Sequence, residues 1–406
     1  MNKLTIKIAT AVSSAALIVS SFATPLMATT VEISGNGSDS DNTVAVQQTN
    51  TTVVTQTNTA NISNNIDIDA NTGDNKAEDN TGGDVSIDTG DATATVGVST
   101  TANSNQADVS GCCAGDTSIK VSGNGSDSDN KVGLKTTNNT VVTQNNDANI
   151  SNDVDVDLDT GGNDAEDNTG GNVAIDTGDA DATVTISNQA NANWAAITAG
   201  PNGGGSLSVE VSGNGADSDN DVAVELSSDK IISQNNNANI SNDVEVDADT
   251  GDNEAEDNTG GDVEIDTGDA TAKVEVSNMA NFNAADLEGC GCVGDLDIKV
   301  KGNGAESDNE VGVLLGSVQV VSQDNNFNNG KECDGIDVDL DTGDNKAEDN
   351  TQYGGDPSIT TGDADADVTV ENTANSNSVG NADFGDWFPS VGGSSSLLVL
   401  LLALFA

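Results

Sequence analysis

Apolar and polar positions alternate along this chain. From Val154 to Asp159 the sequence VDVDLD puts an aliphatic residue at every second place and a carboxylate between, the period-two mark of a strand with one apolar and one acidic face. The pattern recurs as IDIDAN from Ile66, VEVDAD from Val244 and IDVDLD from Ile336, each time followed by Thr-Gly. Thr-Gly-Asp is turn chemistry, with glycine free to take positive φ. A second alternating stretch follows in each case; Val85, Ile87 and Asp88 begin 19 residues after Ile66 and run into TGDATA. No stretch of the repeats carries a 3.6-residue apolar period, so the body is expected to be all-β.

The alternation sits inside a longer repeat. SGNGSDSDN at Ser34 and Ser122, SGNGADSDN at Ser212 and KGNGAESDN at Lys301 mark four units 88 to 90 residues apart. The expected boundaries are 31–118, 119–208, 209–297 and 298–385. Each unit passes from an Asn-rich segment (VVTQTNTANISN in the first) through the acidic lines to a closing TANSNQADV-type stretch. Unit four diverges most, with Cys333 and Gly335 in place of the ANISND context and Pro357 inside its second acidic line. Two architectures fit. The first is an elongated β-solenoid of short rungs, about 18–20 residues each, with a narrow aliphatic interior and Asn side chains laddering from rung to rung. About 19 such rungs, stacked at about 4.8 Å, give a rod on the order of 90 Å. The alternative is four tandem β-sandwich domains of about 89 residues. Sandwich cores want aromatic residues that these units lack, which favours the solenoid.

Composition narrows the core and the partners. Hydrophobic residues make up 34% of the chain but aromatics only 2%, so any core is built from Val, Ile and Ala. Sixty-eight acidic residues face 12 basic ones, with no His, for a net charge of -56. That balance excludes nucleic acid and anionic headgroups as partners and favours cations. Residues 1–28 open with Lys3 and Lys7, continue through IATAVSSAALIVSSFA and reach PLMA, which reads as a signal peptide cut near Ala28. The expected location is therefore secreted, at the cell surface or otherwise extracellular. Residues 386–406 form an aromatic and apolar sorting or anchoring tail, with Phe384 just before it and Trp387 and Phe388 at its start. Its apolar run is shorter than the roughly 20 residues of a spanning helix, and Trp favours the membrane boundary. Any membrane contact is expected through this tail alone.

The strings GNGSDSDN, TQNNDANISND and NTGGDVSIDTGDATATV resemble those of the Asn/Thr/Gly/Asp-rich repeat proteins exported by bacteria, most of them uncharacterised. That resemblance covers most of the chain and implies export, not an activity. More loosely, Gln56, Asn58, Ala60 and Asn61, with Gln144, Asn146, Ala148 and Asn149, are similar to the polar ladder positions of curlin-type repeats.

The candidate chemistry lies in the line [DE]-x-D-x-[DN]-T-G followed by N-x-A-E-D-N-T. Unit one offers Asp67, Asp69, Asn71, Asp74, Glu78 and Asp79; unit two Asp155, Asp157, Asp159, Glu166 and Asp167. Unit three offers Asp247, Asp249, Asp252, Glu256 and Asp257; unit four Asp337, Asp339, Asp341, Asp344, Glu348 and Asp349. Calcium takes six to eight hard oxygens in flexible geometry, and an acidic loop turned by glycine supplies them. The match to an EF-hand loop is partial, because the glycine stands one place late and no helices flank it. A solvated acidic face followed by a polar turn is the competing reading. Stacked carboxylates about 5 Å apart repel, however, and divalent cations would neutralise them. Cys112, Cys113, Cys290, Cys292 and Cys333 lack metal-site spacing and any His partner, so local or intermolecular disulfides are the alternatives. Without His, and without a cleft, catalysis is not expected. The sequence thus points to an exported, surface-attached structural repeat protein (stalk, adhesin or matrix component) with calcium-binding lines and self-association or a surface receptor as partners. The alternative is a secreted, self-assembling, curlin-like fibre subunit.

Overall fold

The computed structural model describes residues 4–13, 16–23, 29–110, 116–198, 205–287, 295–330, 335–351 and 356–380, with side chains from residue 29 onward except Ser110. All five cysteines, the aromatic cluster at Phe384, Trp387 and Phe388, and the tail at 386–406 lie outside them. Every regular element among the described residues is a strand. Within residues 1–28 these are β1 (Leu4–Ser13) and β2 (Ala16–Ala23). Unit one folds as β3 (Thr29–Ser34), β4 (Asp41–Asn71), β5 (Lys76–Glu78), β6 (Val85–Asp88) and β7 (Ala92–Ser110). The order repeats as β8 (Thr117–Ser122), β9 (Asp129–Asp159), β10 (Asp164–Glu166), β11 (Val173–Asp176) and β12 (Ala180–Thr198). Unit three gives β13 (Ser206–Ser212), β14 (Asp219–Asp249), β15 (Glu254–Glu256), β16 (Val263–Asp266) and β17 (Ala270–Asp286). Unit four gives β18 (Asp295–Lys301), β19 (Asp308–Asn329), β20 (Ile336–Asp341), β21 (Ser358–Thr360) and β22 (Ala364–Val379).

Each strand pairs in parallel with its counterpart in the next unit, as in the sheets β4-β9-β14-β19 and β3-β8-β13-β18. The chain is an all-β solenoid of repeating parallel sheets, as the alternation and the repeat implied. The axial period differs from the expected 18–20 residues. Asp69 lies beside Asp157, and Asp157 beside Asp247, so one whole unit is one coil. Four coils at about 4.8 Å stack to a height on the order of 20 Å, not 90 Å. Nor are the units independent sandwiches, because even their turns bond to the next unit: Thr72 N donates to Asp159 O at 2.8 Å and Asp74 N to Gly161 O at 3.0 Å.

The 19-residue spacing has another cause. In every coil two Thr-Gly turns meet at a neck, where the hydroxyl of Thr72 donates to Gly90 O at 2.7 Å and that of Thr160 to Gly178 O at 2.8 Å. The residues between, with β5 and β6, bulge out as a small lobe that has its own aliphatic centre of Ile87, Val173, Ile175 and Ile265. Glycine is required at this neck because coil lies directly on coil. A Cβ on Gly161 would stand 2.1 Å from Gly251 O.

Within each coil β4 runs out and β7 returns against it. The end of β4 (Ile66, Ile68, Ala70) packs on the start of β7 (Ala92, Ala94, Val96, Val98), and its middle on the end of β7 (Val54 with Ala107 and Val109). Val31 and Ile33 of β3 cover the beginning of the long strand. Between the apolar blocks the inward positions are amides. Asn58 donates through Nδ2 to Asn146 Oδ1 at 3.2 Å, Asn146 to Asn236 at 3.0 Å, and Asn236 to Asn325 at 3.1 Å. The facing sheet carries Asn105, Asn193, Asn283 and Asn377 in the same way, and cross-sheet bonds such as Asn193 to Asn236 at 2.8 Å join the ladders. Beside them Gln323, Gln234, Gln144 and Gln56 form a ladder whose donors point the other way. Amides suit this interior because each side chain donates to one neighbouring coil and accepts from the other.

Replacing Asn236 with Leu strips acceptors from Asn146 and Asn193 and donors from Asn283 and Asn325. Each of the four keeps another partner, so the loss is that of four hydrogen bonds at about 1 kcal/mol net each, about 3 kcal/mol or more in all. The neighbouring Asn235 side chain is exposed, and Asn235→Leu should stay within about 0.5 kcal/mol. Urea denaturation of both variants measures the difference; equal midpoints would remove the ladder from the stabilising interactions.

Candidate cation-binding carboxylate rows

The outward face of β4 and its counterparts carries three columns of acids. Parallel register stacks Asp67 with Asp155, Glu245 and Asp337, then Asp69 with Asp157, Asp247 and Asp339. The third column is Asn71, Asp159, Asp249 and Asp341. Side chains alternate across the strand, so Ile68, Val156 and Val246 point into the core while these carboxylates face out. Like charges about 5 Å apart repel by about 1 kcal/mol even at the dielectric of water. Proton affinities follow. Partial burial first, then Asp69 and Asp155, push Asp157 up; burial, then Asp157 and Asp339, do the same to Asp247. Asp249 is raised to about 6 by burial and by Asp252, Asp159 and Asp341, against the N–H of Gly251.

The third column also has a local duty. Asp159 Oδ1 accepts from Gly161 N at 2.8 Å, and Asp249 and Asp341 accept from Gly251 and Gly343 at 2.6 Å. These bonds set the turn into the lobe. Asp74, Asp252 and Asp344 have φ of 55°, 54° and 53°, and Asp79, Asp167, Asp257 and Asp349 lie between 52° and 58°. Asp tolerates this left-handed region better than most residues, which gives these acids a conformational reason to be where they are. In unit one Asn71 Nδ2 bridges Asp74 Oδ2 at 3.0 Å and Asp159 Oδ2 at 2.9 Å.

The lobe carries a separate cluster. Glu78, Glu166 and Glu256 end β5, β10 and β15, with Glu348 at the equivalent place in unit four, and Glu78, Asp164 and Glu166 each place a carboxylate oxygen within 4.8 Å of the others. That spacing can hold a divalent cation, and the groups are exposed to half-buried. An ammonium already sits there: Lys76 Nζ lies 2.9 Å from Asp164 Oδ2 and 3.6 Å from Glu78 Oε1. Lys346 pairs in the same way with Glu254 across coils four and three. No lysine stands at this position in the two middle coils, where Asp164 and Glu254 replace it. Asp164, followed by the other neighbouring acids, pushes Glu166 up, and burial with Glu254 and Glu348 raises Glu256.

The sequence-derived residues therefore divide into strand columns (Asp67, Asp69, Asn71 and their counterparts, with Asp74 joining the third) and lobe acids. Among the described residues no group of three metal-ligating side chains joins the two sets. Asp164 belongs to the lobe cluster and was missed by sequence. Its signal was the variable residue before Ala, which reads NKAED, NDAED, NEAED and NKAED in the four units. Compared with known proteins, the chain matches no family model, no curated protein and no solved structure.

A carboxyl whose folded pKa lies above its unfolded value gives stability that is full below the unfolded pKa and lost as pH rises through the folded one. For Asp249 that window runs from about 4 in the unfolded chain to about 6 when folded, and Asp157, Asp159, Asp247 and Glu256 shift in the same direction. The melting temperature should therefore fall between about pH 4 and 6 in metal-free buffer and level off above that. Asp249→Asn keeps an acceptor oxygen for Gly251; it should melt higher at pH 7 and show a shallower fall. An unchanged pH slope would mean that the columns are fully screened by water.

Proposed function

We propose that this is an exported, non-enzymatic structural repeat protein, a surface-held adhesin or matrix component, whose acidic columns bind divalent cations, calcium foremost. The observation that carries the reading is the register. An amide-laddered scaffold holds carboxylates in continuous columns at strand spacing, where cations relieve repulsion that lysine side chains relieve in the lobe and in the Glu32 column. The leader at residues 1–28 and the tail at 386–406 support export and attachment, and the resemblance to exported bacterial repeat proteins points the same way. An anionic surface of this kind disfavours nucleic acid. A flat stack of four coils fits a matrix or adhesive role better than a long stalk.

Calcium that binds only the folded chain stabilises it by mass action, about 1.4 kcal/mol per site at ten times Kd. Extracellular sites often bind at about 10⁻⁴ to 10⁻³ M, so millimolar calcium should raise the melting temperature beyond sodium chloride of matched ionic strength. Removing the central column with Asp69→Ala, Asp157→Ala, Asp247→Ala and Asp339→Ala should abolish the calcium-specific part and leave the salt response. If sodium chloride reproduces the whole shift, the columns are a solvated acidic surface.

Attachment has its own measurement. Expressed in a bacterial host, the full chain should fractionate with the envelope and a chain ending at Asp383 should be released. Equal release of both into the medium would remove the anchoring role of the tail.

A further inference from the structure

We infer that the outer face of coil one is a docking surface for coil four of a second copy of this chain, so that copies add head to tail in continuous register. Four buried polar atoms of coil one lack a hydrogen-bond partner: Asn58 Oδ1, Thr93 Oγ1, Thr100 Oγ1 and Asn103 Oδ1. With β1 and β2 paired to β7, Asn58, Thr100 and Asn103 are at most 3% exposed. Asn58 and Asn103 turn Nδ2 toward coil two, which leaves their oxygens on the side away from it.

Continuing the register by one coil gives each a partner. Asn58 shares its column with Asn325, whose Oδ1 accepts from Asn236 and whose Nδ2 bonds within its coil to Asn377 and Ser376, as Asn58 Nδ2 bonds to Asn105 and Ser104 while also reaching coil two. Asn103 shares a ladder with Asn375, again the donor end. Thr100 is in the column of Asn372, which accepts from Asn278 and keeps its own amide hydrogens for the next coil. Thr93 stands in the column of Asp365, where the hydroxyl of Thr271 already donates to Asp181 one step along.

Charge and packing agree. Glu32, Lys120, Glu210 and Lys299 alternate in sign up one column, with Glu32 on Lys120 at 3.5 Å, so a following copy would set Glu32 on Lys299. The apolar rows end bare at coil four: Val274 is 0% exposed and its stacked neighbour Val368 46%. In the full chain the leader takes part of the slot, as β1 and β2 pair with β7, and register sets Val12 beside Thr100 and Leu17 beside Asn105. The register positions that β1 and β2 take beside Thr100 and Asn105 are those that Asn372 and Asn377 of a second copy would fill. The inference thus rests on the leader being removed, as the export reading requires. Two features oppose the contact. Lys346 would approach Lys76, and Pro357 has no N–H to offer.

The apolar clusters begin at Val31, so the chain from Thr29 keeps all of them. In calcium buffer this chain should sediment as species that grow with concentration and appear as filaments by electron microscopy, while the full chain does not. Asn325→Lys with Asn375→Lys blocks the coil-four face only. Such copies should remain monomeric alone and, mixed as a minority with the parent, shorten its filaments about twofold or more, as ends do in a heterologous assembly. Lys76→Glu gives Lys346 an opposite charge and should lower the concentration at which filaments form. A chain from Thr29 that stays monomeric at every concentration overturns the inference, as do blocked copies that leave filament length unchanged while hydrogen exchange shows coils one to three intact. Filaments from this chain together with an uncleaved leader in the cell would keep the docking surface and remove the export reading.

Discussion

Everything in this molecule follows from stacking equivalent residues directly on one another at the spacing of a parallel sheet. A side chain is tolerated in such a column only if it can sit on a copy of itself. Aliphatic residues can, since apolar contact has no direction, and so the inward rows read Ile68, Val156, Val246, Val338. Amides can, since each carries a donor and an acceptor. Glycine must, wherever backbone rests on backbone. Carboxylates cannot without help, and the fold answers in three ways: opposite charge in the Glu32 column, lysine in the lobe, and raised proton affinity in the column of Asp249.

That constraint also decides what was legible in the sequence. Alternation at VDVDLD identified the strands and their buried face, because period two is a local property. Which strand lies beside which is not local. The 19-residue echo of Val85 after Ile66 looked like a neighbouring rung and is in fact the far side of a lobe closed by the Thr72 hydroxyl on Gly90. The true neighbour lay 88 residues away, in the repeat itself, where Gln56 and Gln144 or Asn58 and Asn146 recur at matching places. The ladder resemblance at Gln56 and Asn58 named side chains that the fold buries, whereas Asn61 and Asn149, in the same motif, face outward.

The acidic residues were legible as a set and illegible as a site, for a related reason. Spacing along the chain suggested one loop wrapping one ion. The strand instead carries Asp67 and Asp69 away in columns, while left-handed turns at Asp74 and Asp79 lead into the lobe. A cation bound here would meet ligands from adjacent coils more than from adjacent residues. On the proposed reading, cation binding and coil stacking are coupled, because neutralising a column lowers the cost of every coil-to-coil contact along it.

The amide ladders give the stack a direction. Asn58, Asn146 and Asn236 donate toward coil four, whereas Gln144, Gln234 and Gln323, two residues before the Asn in each strand, donate toward coil one. Adjacent ladders therefore oppose their dipoles, which is the favourable arrangement in an interior of low dielectric. The two end faces consequently differ in chemistry: coil one presents Asn acceptors where coil four presents Asn donors, and the Gln ladder is reversed. Two equal faces brought together would set Asn acceptor on Asn acceptor or donor on donor. Only opposite faces satisfy both ladders at once, so the polarity that organises one chain internally also fixes the single orientation in which a coil can be added to it.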